Sequence, residues 1–134
     1  MPSVTVSQLD RLLESPGTAL FDVRDAELYR LGHIPGAAHA PLAEIRERLS
    51  PLDREQPVYF VCQIGEQRSV EAARLAGEQL GFRQAFFVEG GTKAWQRADL
   101  PLEGEWARRL DGFSGQRAAA VPAPGKKPEG RTQG

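Results

Sequence analysis

The stretch Val58-Tyr59-Phe60-Val61-Cys62-Gln63-Ile64-Gly65-Glu66-Gln67-Arg68-Ser69 joins two different periodicities. Val58 to Cys62 are apolar without a break, mostly β-branched or aromatic, and bounded by Pro57. Such a run predicts a strand covered on both faces, as in a parallel sheet. From Arg68 to Leu80, Val70, Ala73 and Leu80 fall at helical spacing, and Gly81 ends the pattern. That predicts a helix. Only the short loop Gln63–Gln67 separates the two.

The same alternation extends in both directions. Ala19–Val23, after the Pro16-Gly17 turn, and Ala85–Val88, ended by Gly90-Gly91, predict two further buried strands. Ser7 is expected to cap a helix over Gln8–Glu14, with Leu9, Leu12 and Leu13 on one face. Asp25 is expected to cap Ala26–Leu31, which Gly32 stops in the left-handed manner of a helix end. Leu42–Leu49 and Thr92–Arg97 complete the helices. Strands joined by helical crossovers predict an α/β fold: a parallel sheet with helices on both faces.

The 134 residues suffice for one domain. With 40% apolar and 26% charged residues the composition is that of a globular protein. No apolar run reaches eighteen residues, so no membrane span is expected. Met1–Val6 carries neither a basic nor a long apolar region, so a cytoplasmic location is the expectation. Cys62 is the sole cysteine, which excludes an internal disulfide, and with only His33 and His39 beside it metal chemistry is not expected. Residues 107–134 carry +4 and leave −5 on residues 1–106, so nucleic-acid binding by the acidic body is not expected. From Asp111 onward Phe113 is the only aromatic among Gly, Ala, Pro and charge. That composition predicts a flexible basic tail over 107–134 after a domain over 1–106.

In open α/β sheets ligands sit outside the carboxyl ends of the strands, which is where Cys62 falls. A loop of this length can turn its backbone N–H groups inward at the sulfur. The N-terminus of the following helix and the Arg68 cation add positive charge. All three favour the thiolate, which is the nucleophilic form. A lone strand-end cysteine is equally compatible with an inert buried thiol. Gly65, which permits a positive φ, together with Arg68 and Ser69 favours the reactive reading. The candidate nucleophile is therefore Cys62, and the candidate binding loop is Gln63, Ile64, Gly65, Glu66, Gln67, Arg68 and Ser69.

Three motifs occur in order. They are Phe21-Asp22-Val23-Arg24-Asp25 leading to Gly32-His33-Ile34-Pro35-Gly36-Ala37, the Cys62 loop leading into Arg68-Ser69, and Val88-Glu89-Gly90-Gly91-Thr92-Lys93-Ala94-Trp95 leading to Leu100-Pro101. Together, from about Val4 to Glu103, they resemble the single-domain rhodaneses. The resemblance implies a five-stranded parallel sheet. It implies transfer of sulfane sulfur from thiosulfate, or a similar donor, through a Cys62 persulfide to cyanide, a thiol or a partner protein. Neither metal nor organic cofactor is implied, and Asp22, Arg24 and His33 become braces of the loops around the site. The oligomeric state stays open.

The loop departs from the commonest sulfurtransferase pattern, C-R-x-G-x-R-S. Gln63 follows Cys62, and Arg68 is sixth after it, a C-x5-R spacing that resembles Cdc25-type phosphatases and arsenate reductases of the same fold. Against phosphate chemistry, Val61 rather than His precedes Cys62, and Glu66 offsets Arg68. Glu66 would instead suit a general acid. A third alternative is a persulfide carrier or regulatory module.

Overall fold

The computed structural model describes residues 2–65 and 67–105. Along the chain run β1 (Ser3–Val4), α1 (Val6–Leu12), β2 (Ala19–Asp22), α2 (Ala26–Leu31) and β3 (Ala38–His39). A 3-10 turn over Leu42–Glu44 leads into α3 (Ile45–Leu49), followed by β4 (Val58–Val61) and α4 (Arg68–Arg74). A π-helical segment, Leu75–Gln79, then leads to β5 (Ala85–Val88) and α5 (Gly91–Arg97). The strands form one five-stranded sheet in the order β1-β5-β4-β2-β3, every pairing parallel.

β4 is central, and all four of its residues are buried, as its unbroken apolar run requires. Its alternate side chains feed two cores. Phe60 joins Phe21, Ile45, Leu49, Ala72 and Ala73 on the α3–α4 face, where the Phe21 and Phe60 rings stack at 5.8 Å. Tyr59 and Val61 join Leu9, Leu20, Val88 and Trp95 on the α1–α5 face. Register then decides what meets at the carboxyl edge. Asp22 lies beside Val61, and Phe87 beside Phe60. The segments following β2, β4 and β5 are therefore brought to one place.

Four local expectations change. The cap of α1 is Thr5, not Ser7: Thr5 Oγ1 accepts from the Gln8 N–H at 3.1 Å, and Gln8 Oε1 accepts from the Thr5 N–H at 2.8 Å. Two donors left over at a helix start are thus satisfied reciprocally. Asp25 precedes α2 without capping it, because its carboxylate receives Arg68 instead. Gly32 ends α2 with extended backbone rather than in the left-handed region. Its lack of a side chain serves packing, since a Cβ there would stand 3.3 Å from Leu102 Cδ1. The helix expected over Arg68–Leu80 is α-helical only to Arg74 and widens to π across Gly77.

The tail expected over 107–134 lies outside the described residues. Among the described residues no helix is long and apolar enough to cross a membrane.

Candidate active site

Cys62 directly follows β4 and is buried. Its Sγ lies 3.1 Å from the Oγ of Ser69, itself wholly buried at the start of α4. Above the sulfur is an opening of about 270 Å³ walled by Gln63, Ile64, Gln67 and Arg68 from the loop and by Arg24, Asp25 and Leu28 from the β2–α2 segment.

The β5–α5 turn fixes the loop from behind. The carbonyl of Cys62 accepts from the Thr92 N–H at 2.9 Å and from the Thr92 hydroxyl at 3.3 Å. The carbonyl of Gln63 accepts from the Lys93 N–H at 3.0 Å. Donors in the first turn of a helix have no partner within it, and here they are used to tie the loop to α5. The approach requires glycine on both sides. A Cβ on Gly91 would lie 2.4 Å from the Cys62 carbonyl oxygen, and one on Gly65 would lie 2.4 Å from the Gly90 nitrogen. Both glycines also have positive φ, +60° and +79°. The loop closes at Gln67, a non-glycine residue at φ 48°, ψ −90°. Backbone strain is thus stored next to the sulfur.

Two ion pairs flank the opening. Asp22 and Arg24 are both buried, joined at 2.8 Å by Nη2 and at 3.0 Å by Nε, and the Arg24 backbone N–H donates to the same carboxylate. Arg24 also donates to the Gly32 carbonyl at 2.7 Å and to Gln63 Oε1 at 3.0 Å. One guanidinium thereby links β2, the end of α2 and the residue after the cysteine. Asp25 and Arg68 pair at 3.2 Å on the exposed rim.

Behind Arg24, Tyr29 stands between the two histidines. Its ring stacks on His33 at 3.8 Å and on His39 at 4.9 Å, and its hydroxyl donates to the Ala37 carbonyl at 2.6 Å. Burial pushes the Tyr29 phenol above its ordinary range; the nearby Asp22 and Glu103 carboxylates push the same way, and Arg48 opposes them. Burial also raises Tyr59. His39 bonds the Arg24 carbonyl at 2.8 Å, and the His33 ring bonds the Tyr29 carbonyl at 2.7 Å.

Of the residues expected at the site, Cys62, Gln63, Ile64, Gln67, Arg68 and Arg24 share the opening. Ser69 lies beneath it, against the sulfur. Gly65 packs on the Gly90-Gly91 turn, on the other side of the loop. Asp22 is linked to the site through Arg24, which holds Gln63, whereas His33 bonds the Tyr29 carbonyl and does not line the opening. Glu66 falls outside the described residues. Asp25, Leu28, Gly91 and Thr92 were not anticipated at this position, although the Gly90-Gly91 doublet hinted at a close backbone approach.

A parallel α/β sheet with a cysteine just beyond its central strand, in a loop leading into a helix, defines a cysteine-centred α/β domain. The family model for the rhodanese-like domain matches residues 5–98, and the chain belongs to that family. It is 35% identical over 91 residues to the thiosulfate sulfurtransferase GlpE of Pseudomonas savastanoi, covering 68% of this chain and 83% of that protein. It is 32% identical over 96 residues to YrkF, a protein of Bacillus subtilis named as a candidate sulfur carrier; the match covers 71% of this chain and 51% of YrkF, so the chain spans about half of that relative. Among solved structures, the Alr3790 protein of Anabaena superposes with a TM-score of 0.70 at 28% identity, over 82% of this chain and 99% of that one.

Proposed function

We propose that the chain is a sulfurtransferase that carries sulfane sulfur on Cys62, taking it from thiosulfate or a similar donor and giving it to cyanide, a thiol or a partner protein. The observation that carries this reading is the way the loop is tied. The carbonyls of Cys62 and Gln63 face α5. No described peptide is cis. In a trans peptide the N–H points opposite to the carbonyl, so the N–H groups of Gln63 and Ile64 face away from α5. The opening on that side has no α5 residue in its wall. Backbone donors facing the space above a cysteine suit an anion held beside sulfur.

The chemistry runs in two steps. The Cys62 thiolate attacks the outer sulfur of the donor; the donor's S–S bond breaks, sulfite leaves with the electron pair, and a persulfide remains. An acceptor nucleophile then attacks the outer sulfur, and Cys62 leaves as the thiolate. This is covalent catalysis with ping-pong kinetics. The loop N–H groups supply hydrogen bonds where charge gathers on sulfur, and the Ser69 hydroxyl, which accepts from the Cys62 thiol at 3.1 Å, turns to donate once that proton is lost. Asp22, Arg24 and His33 hold the frame. The sulfurtransferase and candidate carrier relatives support the same reading, and a reducing cytoplasm supplies thiol acceptors.

Incubation with thiosulfate followed by intact mass measurement is the test. A gain of one sulfur atom, removed by a thiol reductant and absent in Cys62→Ser, is expected. A wild-type chain whose mass does not change overturns the reading.

A further inference from the structure

Resting on the sulfurtransferase reading of Cys62, we propose that a cleft beside the opening binds the apolar body of the sulfur acceptor, so that thiols bearing a hydrocarbon chain are preferred to small hydrophilic ones. Among the described residues the large apolar side chains left exposed are Leu28 (40%), Leu31 (43%) and Ile64 (51%). All three border the same region. Leu28 and Ile64 line the opening over Cys62. Leu28 and Leu31 line an adjoining cleft of about 320 Å³, with Leu102, Gly32, Thr92 and Gln96 forming the rest of its wall. Arg24, Leu28 and Gln63 border both spaces, so the cleft begins where the sulfur's opening ends.

Its size is that of a small-molecule site, and its depth depends on Gly32, where any side chain would press on Leu102. Charge gives little to select an acceptor by. The one charged residue in the cleft's wall is Arg24, and its guanidinium already holds the Asp22 carboxylate. Apolar surface is therefore what distinguishes one thiol from another here. The acceptor's thiolate attacks the outer sulfur of the Cys62 persulfide. A sulfur–sulfur bond to the acceptor forms and the bond to Cys62 Sγ breaks, its electron pair returning to Cys62. The acceptor's proton passes to water, and the sulfane sulfur keeps its oxidation state.

The full chain, loaded with sulfur from thiosulfate, is mixed with ethanethiol, propanethiol, butanethiol and hexanethiol, and loss of the added mass is followed in time. The second-order rate constant should rise by up to about four-fold per methylene. Leu31→Asn, a change at an exposed position, should lower the hexanethiol constant about ten-fold relative to that protein's own ethanethiol constant. A series flat in chain length overturns the proposal, as does a slope that Leu31→Asn leaves unchanged. A flat series from a chain that sediments as a dimer, and as a monomer after Leu31→Asn, gives the cleft to a second copy and also overturns it. If the chain takes no sulfur, the reading of Cys62 fails separately, and the cleft is tested in Cys62→Ser. Hexanethiol shifting the backbone amide resonances of Leu31 and Gln96 more than ethanethiol does would uphold the apolar site; equal or absent shifts would overturn it.

Discussion

Two aspartate–arginine pairs meet at the β2–α2 segment, Asp22 with Arg24 inside it and Asp25 with Arg68 at the start of α4, and they are built for opposite purposes. Asp22–Arg24 is buried and closed. The carboxylate accepts from Nε, Nη2 and the backbone N–H of Arg24, and the rest of the guanidinium is spent on Gly32 and Gln63. Asp25–Arg68 is a contact of 3.2 Å between side chains 74% and 50% exposed. A buried pair whose hydrogen-bonding capacity is used this fully is frame, because losing one partner strands a charge without solvent. An exposed pair exchanges readily with water and salt and contributes little to stability. The buried pair positions the residue after Cys62. The pair that can open borders the space where a donor would arrive.

Removal of one partner should separate the two pairs most sharply. Asp22→Ala should cost about 3–5 kcal/mol, as expected when a buried guanidinium loses its carboxylate. The midpoint of urea unfolding measures it. A loss below about 1 kcal/mol would place Asp22–Arg24 with the surface pairs and end the contrast.

The β5–α5 turn belongs with the frame. Gly91→Ala should cost about 1–3 kcal/mol for the left-handed backbone alone. It should also displace the Cys62 carbonyl, which the new Cβ would approach to 2.4 Å. Persulfide formation should fall with it. Gly36→Ala is the matched control: its φ is +87°, but no atom lies within 4 Å of the added carbon. It should lose stability and keep sulfur transfer. Equal losses of transfer in both would deny the turn its role in holding the loop.

Alkaline pH probes the frame without mutation. The Tyr29 phenol, bonded to Ala37 and stacked between two imidazoles, is raised by burial first and by Asp22 and Glu103 next. Tyr59 is raised by burial. A group whose folded pKa exceeds its unfolded one contributes stability that is fully present below the unfolded value, about 10 for tyrosine, and is lost as pH climbs through the folded value. Thermal stability should therefore fall above about pH 10, and less steeply in Tyr29→Phe. An equally steep fall in Tyr29→Phe would remove Tyr29 from the frame.

The sheet's three longer strands were legible because each is an unbroken apolar run, and Cys62 stood out because a strand and a helix meet around it. β1 and β3 were not, since two residues carry no period; pairing with Phe87–Val88 and Phe21–Asp22 defines them. Thr5 could have been preferred to Ser7, because Gln8 stands three residues after it, the spacing of a reciprocal cap. The tie between Cys62 and Thr92 could not, since it spans thirty residues and depends on the register of β4 with β5. Nor could the difference between the two ion pairs. Asp22, Arg24, Asp25 and Arg68 are alike in sequence, and only the fold buries one pair and leaves the other in water.

The smallest stability change should come from the exposed pair, and there it can be separated from function. Asp25→Asn removes the carboxylate and leaves a side chain of the same size. Its effect on folding should stay within about 1 kcal/mol. The effect on the donor step should run in the opposite direction. Arg68, freed of its partner, offers its whole charge to an arriving dianion, so the thiosulfate concentration for half-maximal persulfide formation should fall. Added salt should weaken that gain by screening, since the pair lies in solvent. Arg68→Ala should raise the same concentration with stability again nearly unchanged. If both variants leave donor dependence where it was, Arg68 is a surface charge and the loop's backbone N–H groups bind the donor alone. If instead Asp25→Asn unfolds the protein as readily as Asp22→Ala, exposure does not distinguish frame from rim in this fold.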